Sequence, residues 1–166
     1  VTQIDVSVED RLLLQELIAR YSLARDDRDI DLLISLFAPD AQFERAGRVV
    51  DGADGIREFF LGSMRRYDLT NHVNHGQVLD PVEGASPREL VAGRVSGHAE
   101  LVLSGVLHVA AYRYHDRYVK SDGRWLIQRR SLNFIYAMPV DQLASGFADH
   151  LRVRWHGDQP RPADLP

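Results

Sequence analysis

Residues 90–136 read LVAGRVSGHAELVLSGVLHVAAYRYHDRYVKSDGRWLIQRRSLNFIY. Ser104-Gly105 and Ser121-Asp122-Gly123 cut this stretch at hairpin positions into three long β segments, Leu90–Leu103, Val106–Lys120 and Arg124–Tyr136. In the first segment Val91, Val95, Ala99, Leu101 and Leu103 form one apolar face, and Arg94, Ser96, His98 and Glu100 form the other. Upstream, Asn71 to Val82 reads as a further strand, followed by a Gly84-Ala85-Ser86-Pro87 turn. The N-terminal third has a different period. Ser7-Val8-Glu9-Asp10 is a capping box opening a helix, on which Leu14, Leu17, Ile18, Tyr21 and Ala24 recur at helical spacing until Asp26, Asp27 and Arg28 end it. A second short helix is capped by Asp29, carries Leu32, Leu33, Leu36 and Phe37, and stops at Pro39-Asp40. Ala41 to Glu44 is a short strand, with Arg48 to Val50 as its hairpin partner or a crossing segment. Asp54 opens a third helix with Ile56, Phe59, Phe60 and Met64. Three helices followed by a long antiparallel meander is an α+β pattern. A curved sheet of long strands closed by helices on one side makes a cone with a pocket.

Length and composition agree with one such unit. The chain has 166 residues, 45% of them hydrophobic and 27% charged, which suits one domain with a real core. Residues 1–140 are taken as the domain, with 141–166 as its tail, holding a helical turn near Gln142–His150 and an extended end at Gln159–Pro162. A net charge of −4 gives no electrostatic reason to expect a nucleic-acid partner. Apolar runs are short, so no membrane span is expected, and no charged-then-apolar leader precedes the first helix, although the sequence begins at Val1. Cytoplasmic is the default location. Cysteine is absent, which excludes disulfides, thiolate metal sites and a Cys nucleophile. There is no Gly-rich phosphate loop, no Gly-x-Ser-x-Gly elbow and no His-Glu-x-x-His spacing. No metal or organic cofactor is expected.

Four features can carry chemistry. The run Asp26-Asp27-Arg28-Asp29 reads either as a helix end plus a cap for the next helix or as part of a site. Asp26, five residues after Tyr21 on the apolar side, is the member that can look inward. In Asn71-His72-Val73-Asn74-His75 a strand's alternation separates His72 and Asn74 from Val73 and His75, which argues against a two-histidine metal clamp but aims one imidazole into the cone. A neutral imidazole is the natural general base near neutral pH. His98 sits on the polar face of its segment, where solvent or a subunit interface is favoured over a polar pocket. Arg130 shares a face with Leu126, Leu132 and Phe134, and Tyr112 and Tyr114 lie on the neighbouring strand. An arginine among apolar neighbours is costly unless it meets an acid, for which Asp26 or an anionic leaving group is available; the alternative is a snorkelling surface arginine.

The stretch from Asp31 to Phe43, DLLISLFAPDAQF, and the stretch from Tyr118 to Ile127, YVKSDGRWLI, resemble the signature of the nuclear-transport-factor-2-like superfamily, in the right order and over nearly the whole chain. Within it, Ala24 to Phe37 resembles the corresponding segment of the SnoaL-like, scytalone dehydratase and hexachlorocyclohexane dehydrochlorinase group. The resemblance implies that Asp26 partners the catalytic histidine, that His72 in Thr70-Asn71-His72 is that histidine, and that Arg130 is an active-site arginine. It places His98 near a second active-site histidine, so His98 joins Tyr21, Tyr112 and Tyr114 as substrate-binding candidates. Two departures stand out. Arg25 replaces a tyrosine that precedes the helix-end aspartate in scytalone dehydratase, and tyrosines near 112 and 114 replace its Ser and Asn.

The implied activity is a cofactor-free β-elimination of the dehydratase kind on a cyclic, largely apolar small molecule. His72 would act as base, Asp26 as its orienting partner and Arg130 as stabiliser of developing negative charge, with the tyrosines polarising a carbonyl or protonating the departing hydroxyl. An isomerase or cyclase would use nearly the same residues. A non-catalytic small subunit or ligand-binding module would leave the histidines on the surface and the Asp–His hydrogen bond absent. A homo-oligomer, dimer or trimer, is expected through the convex sheet face.

Overall fold

The computed structural model describes residues 6–166; the first five residues of the expected 1–140 unit lie outside them. Ser7 caps α1 (Val8–Asp26) by accepting from the Asp10 amide at 3.0 Å, with Glu9 and Asp10 placing negative charge in the first turn. Asp10 also accepts from Lys120 Nζ (2.7 Å) and Trp125 Nε1 (2.8 Å), which ties the start of this helix to a distant hairpin. Arg28 turns the chain through a positive φ of 58°, and Asp29 caps α2 (Ile30–Ser35) through the Leu32 amide. The chain then runs through β1 (Phe37–Arg45), β2 (Arg48–Asp51) and α3 (Gly52–Arg66). Four long strands follow: β3 (Leu69–Pro81), β4 (Leu90–Leu103), β5 (Val106–Ser121) and β6 (Arg124–Pro139). A 3₁₀ turn at Val140–Gln142 and a single helical turn, α4 (Leu143–Gly146), lead into the tail.

The strands form a six-stranded sheet in the order β2-β1-β6-β5-β4-β3, antiparallel except for the β1–β6 pair. Three two-residue loops turn its hairpins: Ala46-Gly47, Ser104-Gly105 and Asp122-Gly123, each with both residues at positive φ, the geometry that matches strand twist. The helices cover the concave face, as the sequence pattern predicts. α3 docks through Ile56 and Phe60, both fully buried, each contributing roughly 1.5–3 kcal/mol. On β4, Gly93 and Gly97 leave room for the rings of Tyr118 and Tyr112. A Cβ there would come within 2.5 Å and 2.8 Å of those rings, so the aromatic side chains of β5 can lie flat on the floor of the cone.

Three features differ from the sequence reading. Phe37 begins β1 rather than ending α2, and Pro39 lies where the β1–β6 register is broken, a position where its missing N–H costs no ladder bond. α3 starts at Gly52, ahead of Asp54. β6 carries an extra residue at Gln128 and another at Ile135, opposite register shifts in β5. Because of the first bulge, Arg130, Leu132 and Phe134 share the inner face with Trp125 and Ile127, and Leu126 does not join them. The tail packs back on the sheet: Val153 bridges Ala137 and Arg161, and the His156 amide donates to His108 Nε2 at 3.0 Å. No helix of the described residues is long and apolar enough to cross a membrane.

Candidate active site

The inner faces of β1, β3, β4, β5 and β6 line, with α1, α3 and the tail, a narrow cavity of about 430 Å³ when the open solvent at its mouth is included. Its wall is mainly aromatic and aliphatic, with Phe43, Phe59, Leu101, Leu132, Phe134 and Trp155. The polar side chains in it are few: His72, Arg25, Arg45, Tyr67, Tyr112 and Tyr114.

His72 lies on β3 opposite Ala99, and alternation sends Thr70, His72 and Asn74 inward and Val73 and His75 outward. Asp26, the last residue of α1, meets it there. The His72 Nδ1 and Asp26 Oδ1 are 2.6 Å apart, the His72 amide donates to Oδ2 at 2.7 Å, and Thr70 Oγ1 donates to Oδ1 at 2.8 Å. With both carboxylate oxygens accepting, Nδ1 is the protonated nitrogen and Nε2 carries the lone pair. Burial raises the Asp26 carboxyl, but the hydrogen bonds from the His72 ring and amide and from Thr70, with the ring's charge, outweigh it and hold the group below the usual aspartate value. Burial likewise holds the imidazole below its usual value. The Asp26 bond opposes that shift and the Arg25 charge adds to it. At neutral pH the pair is therefore a carboxylate beside a neutral imidazole, not an ion pair.

Asn74, next inward on β3, donates to Ser22 Oγ at 2.8 Å and accepts from the Tyr112 hydroxyl at 3.4 Å. Burial keeps the Tyr112 and Tyr114 phenols well above their ordinary values, so both stay protonated.

A sequence profile of the SnoaL-like domain matches residues 6–131. The chain belongs to the SnoaL-like family. A candidate scytalone dehydratase from Novosphingobium aromaticivorans DSM 12444 shares its fold with a TM-score of 0.74 at 18% identity, over 95% of this chain and 93% of that one. A hexachlorocyclohexane dehydrochlorinase, LinA-type3 from Novosphingobium barchaimii LL02, does so with 0.71 at 20%, over 80% and 91%. A protein of unknown function from Mycobacterium tuberculosis gives 0.69 at 26%, over 78% and 79%. At their identities the first two speak to the fold alone. No curated protein sequence matches the chain.

In this SnoaL-like cone, Asp26, His72, Tyr112 and Tyr114 come together as expected. Three other candidates do not join them. Arg130 is fully buried and pairs with Asp116, not Asp26: Nε and Nη2 reach the two carboxylate oxygens at 2.9 and 2.7 Å. Its guanidinium lies 4.1 Å from the ring centres of both Tyr21 and Tyr114, so Tyr114 stands between it and the cavity. Tyr21 packs against Phe37, Phe60 and Tyr114 and does not reach the cavity wall. His98 points to the outer face, where Nδ1 is 2.8 Å from His75 Nε2 and Nε2 is 3.4 Å from Glu100. The solvent side of the β4 alternation, not the substrate-binding role, is its place. Among the described residues no group of three or more His, Asp or Glu side chains is arranged to hold a metal ion.

Sequence reasoning gave no site role to Arg25, Arg45, Trp155 or Asp116. Arg25 had a signal, since it follows Tyr21 by four residues and so shares its helix face. Asp116 had none, because the register that follows from the Asp122-Gly123 turn sets it opposite Arg129, and only the extra residue at Gln128 brings Arg130 across from it. Arg45 and Trp155 reach the cavity from a hairpin end and from the tail, and no local pattern marks them.

Proposed function

We propose that this protein is a cofactor-free lyase that carries out β-elimination, of the dehydratase kind, on a cyclic and largely apolar small molecule. The observation that carries this reading is the 2.6 Å contact between His72 Nδ1 and Asp26 inside the cavity, which leaves Nε2 free on the cavity side. Nε2 takes a proton from a carbon next to a carbonyl, and the C–H electrons become the new C=C π bond as the bond to the departing hydroxyl breaks. Tyr112 donates its phenolic proton to that hydroxyl, water leaves, and the imidazolium returns a proton to Tyr112. Asp26 does not change protonation. It fixes the tautomer and stabilises the imidazolium. Arg130 acts through Tyr114 and Tyr21, which its ion pair with Asp116 holds in place, and does not touch substrate.

The test is turnover of hydroxylated cyclic ketones followed by loss of water. His72→Gln should lower kcat by about 10²–10⁴-fold, the usual range for a general base, with the melting temperature little changed. Asp26→Asn should also lower kcat steeply, because the imidazole loses its orienting acceptor. Full activity in His72→Gln would end the proposal. We also propose a homo-oligomer through the convex face; a monomer by light scattering at micromolar concentration would refute it.

A further inference from the structure

Arg25 is 9% exposed, and its Nε has no hydrogen-bond partner. Among the described residues its one side-chain hydrogen bond is a stretched 3.4 Å contact from Nη2 to Ser63 Oγ, and its guanidinium lies 4.6 Å from the centre of the Phe60 ring. Among the described residues no carboxylate pairs with it, although it lines the cavity beside His72. A buried charge without a counter-charge is costly, and proteins keep one where something else supplies the opposite charge. Asp26 is not that group: it makes no hydrogen bond or ion pair with Arg25, and its oxygens accept instead from His72 and Thr70.

A second guanidinium repeats the pattern. Arg45 lines the same cavity, reaches Tyr67 Oη at 3.5 Å, and lies over the rings of Phe134 and Trp155 at 5.4 and 5.6 Å, again with no acid paired to it. Ser63 and Tyr67 are one turn apart at the end of α3, so the two arginines contact neighbouring stations on one helix. An open groove of about 970 Å³, its open solvent included, adjoins the cavity, shares Arg45, Phe59 and Tyr67 with it, and is also lined by Arg48, Arg66 and Glu58. Arg66 is spoken for by Asp158. Among the described residues the cavity wall thus holds two positive side chains and no carboxylate, with Asp26 behind His72.

We propose that the substrate is an acid: an aromatic or alicyclic compound whose carboxylate is bound by Arg25, with Arg45 drawing it in at the mouth. The proposal rests on the cavity being a small-molecule site and gives that site a substrate class. The carboxylate accepts the unused N–H groups of Arg25, the ring system fills the aromatic wall, and the carbon that loses its proton is presented to His72 Nε2. The anion is present before reaction. Arg25 therefore acts on binding, unlike a group that meets only charge developing in the transition state.

The experiment compares 2-naphthoate with its neutral isostere 2-naphthamide, by calorimetry at neutral pH, on the wild-type chain, Arg25→Gln, Arg25→Lys and His72→Gln. In the wild type the acid should bind at least about tenfold more tightly than the amide, as expected for charge-assisted hydrogen bonds. Arg25→Gln should abolish that preference while the amide binds as before, which also reports that the cavity is intact. Arg25→Lys should keep part of the preference, because the charge remains and the planar fork is lost. His72→Gln should keep it in full. Equal affinities in the wild type, no binding of the acid, or an undiminished preference in Arg25→Gln would each overturn the proposal. Should Arg25→Gln not fold, an undiminished preference in Arg25→Lys would overturn it, since the bidentate geometry would then be idle. An acid preference together with undiminished turnover in His72→Gln would sink the elimination mechanism and leave the acid-binding site standing.

Discussion

Two arginines lie in the interior of this cone, and they are held in opposite ways. Arg130 is sandwiched between two tyrosine rings and bonded through two nitrogens to Asp116, whose carboxylate also accepts from Tyr118. Arg25 has an aromatic ring on one side, a stretched bond to a serine, and no acid. The first is a closed arrangement in which nearly every polar group has its partner within the protein. The second is open on the side that faces the cavity. Burial alone does not mark a functional charge. A buried charge whose counter-charge is missing does, because the fold tolerates its cost without an internal return.

The largest expected effect breaks the closed arrangement. Arg130→Met leaves Asp116 buried without its partner and should cost about 3–5 kcal/mol of stability in urea denaturation. Adding Asp116→Leu should recover most of that loss, since apolar replacement of a whole buried pair is often neutral. A loss that the second change does not reduce would mean the arginine matters through its stacked rings instead.

Next in size is the mirror experiment on Arg25. Arg25→Met removes a buried charge that no acid among the described residues pairs with, so stability should be no lower than in the wild type, with a gain of up to about 2 kcal/mol. Thermal denaturation measures it. A loss as large as that of Arg130→Met would erase the contrast between the two sites.

The smallest effect is in the pH profile. Burial, with the Arg25 charge adding to it, holds His72 below the ordinary histidine value. The acid limb of kcat/KM should therefore fall below about pH 6.5. Arg25→Gln removes a positive charge and should move that limb upward, whereas Arg25→Lys, which keeps the charge, should leave it nearly in place. The same shift acts on folding. The unfolded imidazole binds its proton first, so this contribution is fully present above about pH 6.5 and declines as pH falls below it. The slope should be shallower in Arg25→Gln.

Most of the architecture was legible because it is written locally. Ser104-Gly105 and the Asp122-Gly123 pair mark tight turns, Ser7 and Asp29 mark helix starts, and the period change after α3 separates helices from sheet. The dyad was legible by a different route: alternation aims His72 inward, and resemblance pointed to Asp26. What failed was relational. The alternation on β4 favours solvent for His98, and it is the resemblance that sets it among the substrate-binding candidates, while the structure keeps it on the outer face. Nothing local reveals the extra residue at Gln128, so Arg130 was given a distant partner when the aspartate directly across the hairpin already held it. Arg25 was visible only as a departure, and its meaning needed the absence of an acid around it, which is a property of three elements at once.

The two bulges of β6 have a consequence for how this wall can change. The strand is read in one frame through Trp125 and Ile127, a second through Arg130, Leu132 and Phe134, and a third from Ala137 onward. A point substitution exchanges one lining group for another but cannot move a neighbour across the sheet. A shift of one position between the bulges would bring Arg129, Ser131 and Asn133 inward together and turn an oily chamber into a wet one. The interior chemistry of this cone is therefore robust to spelling errors and vulnerable to counting errors, with the slack stored at Gln128 and Ile135.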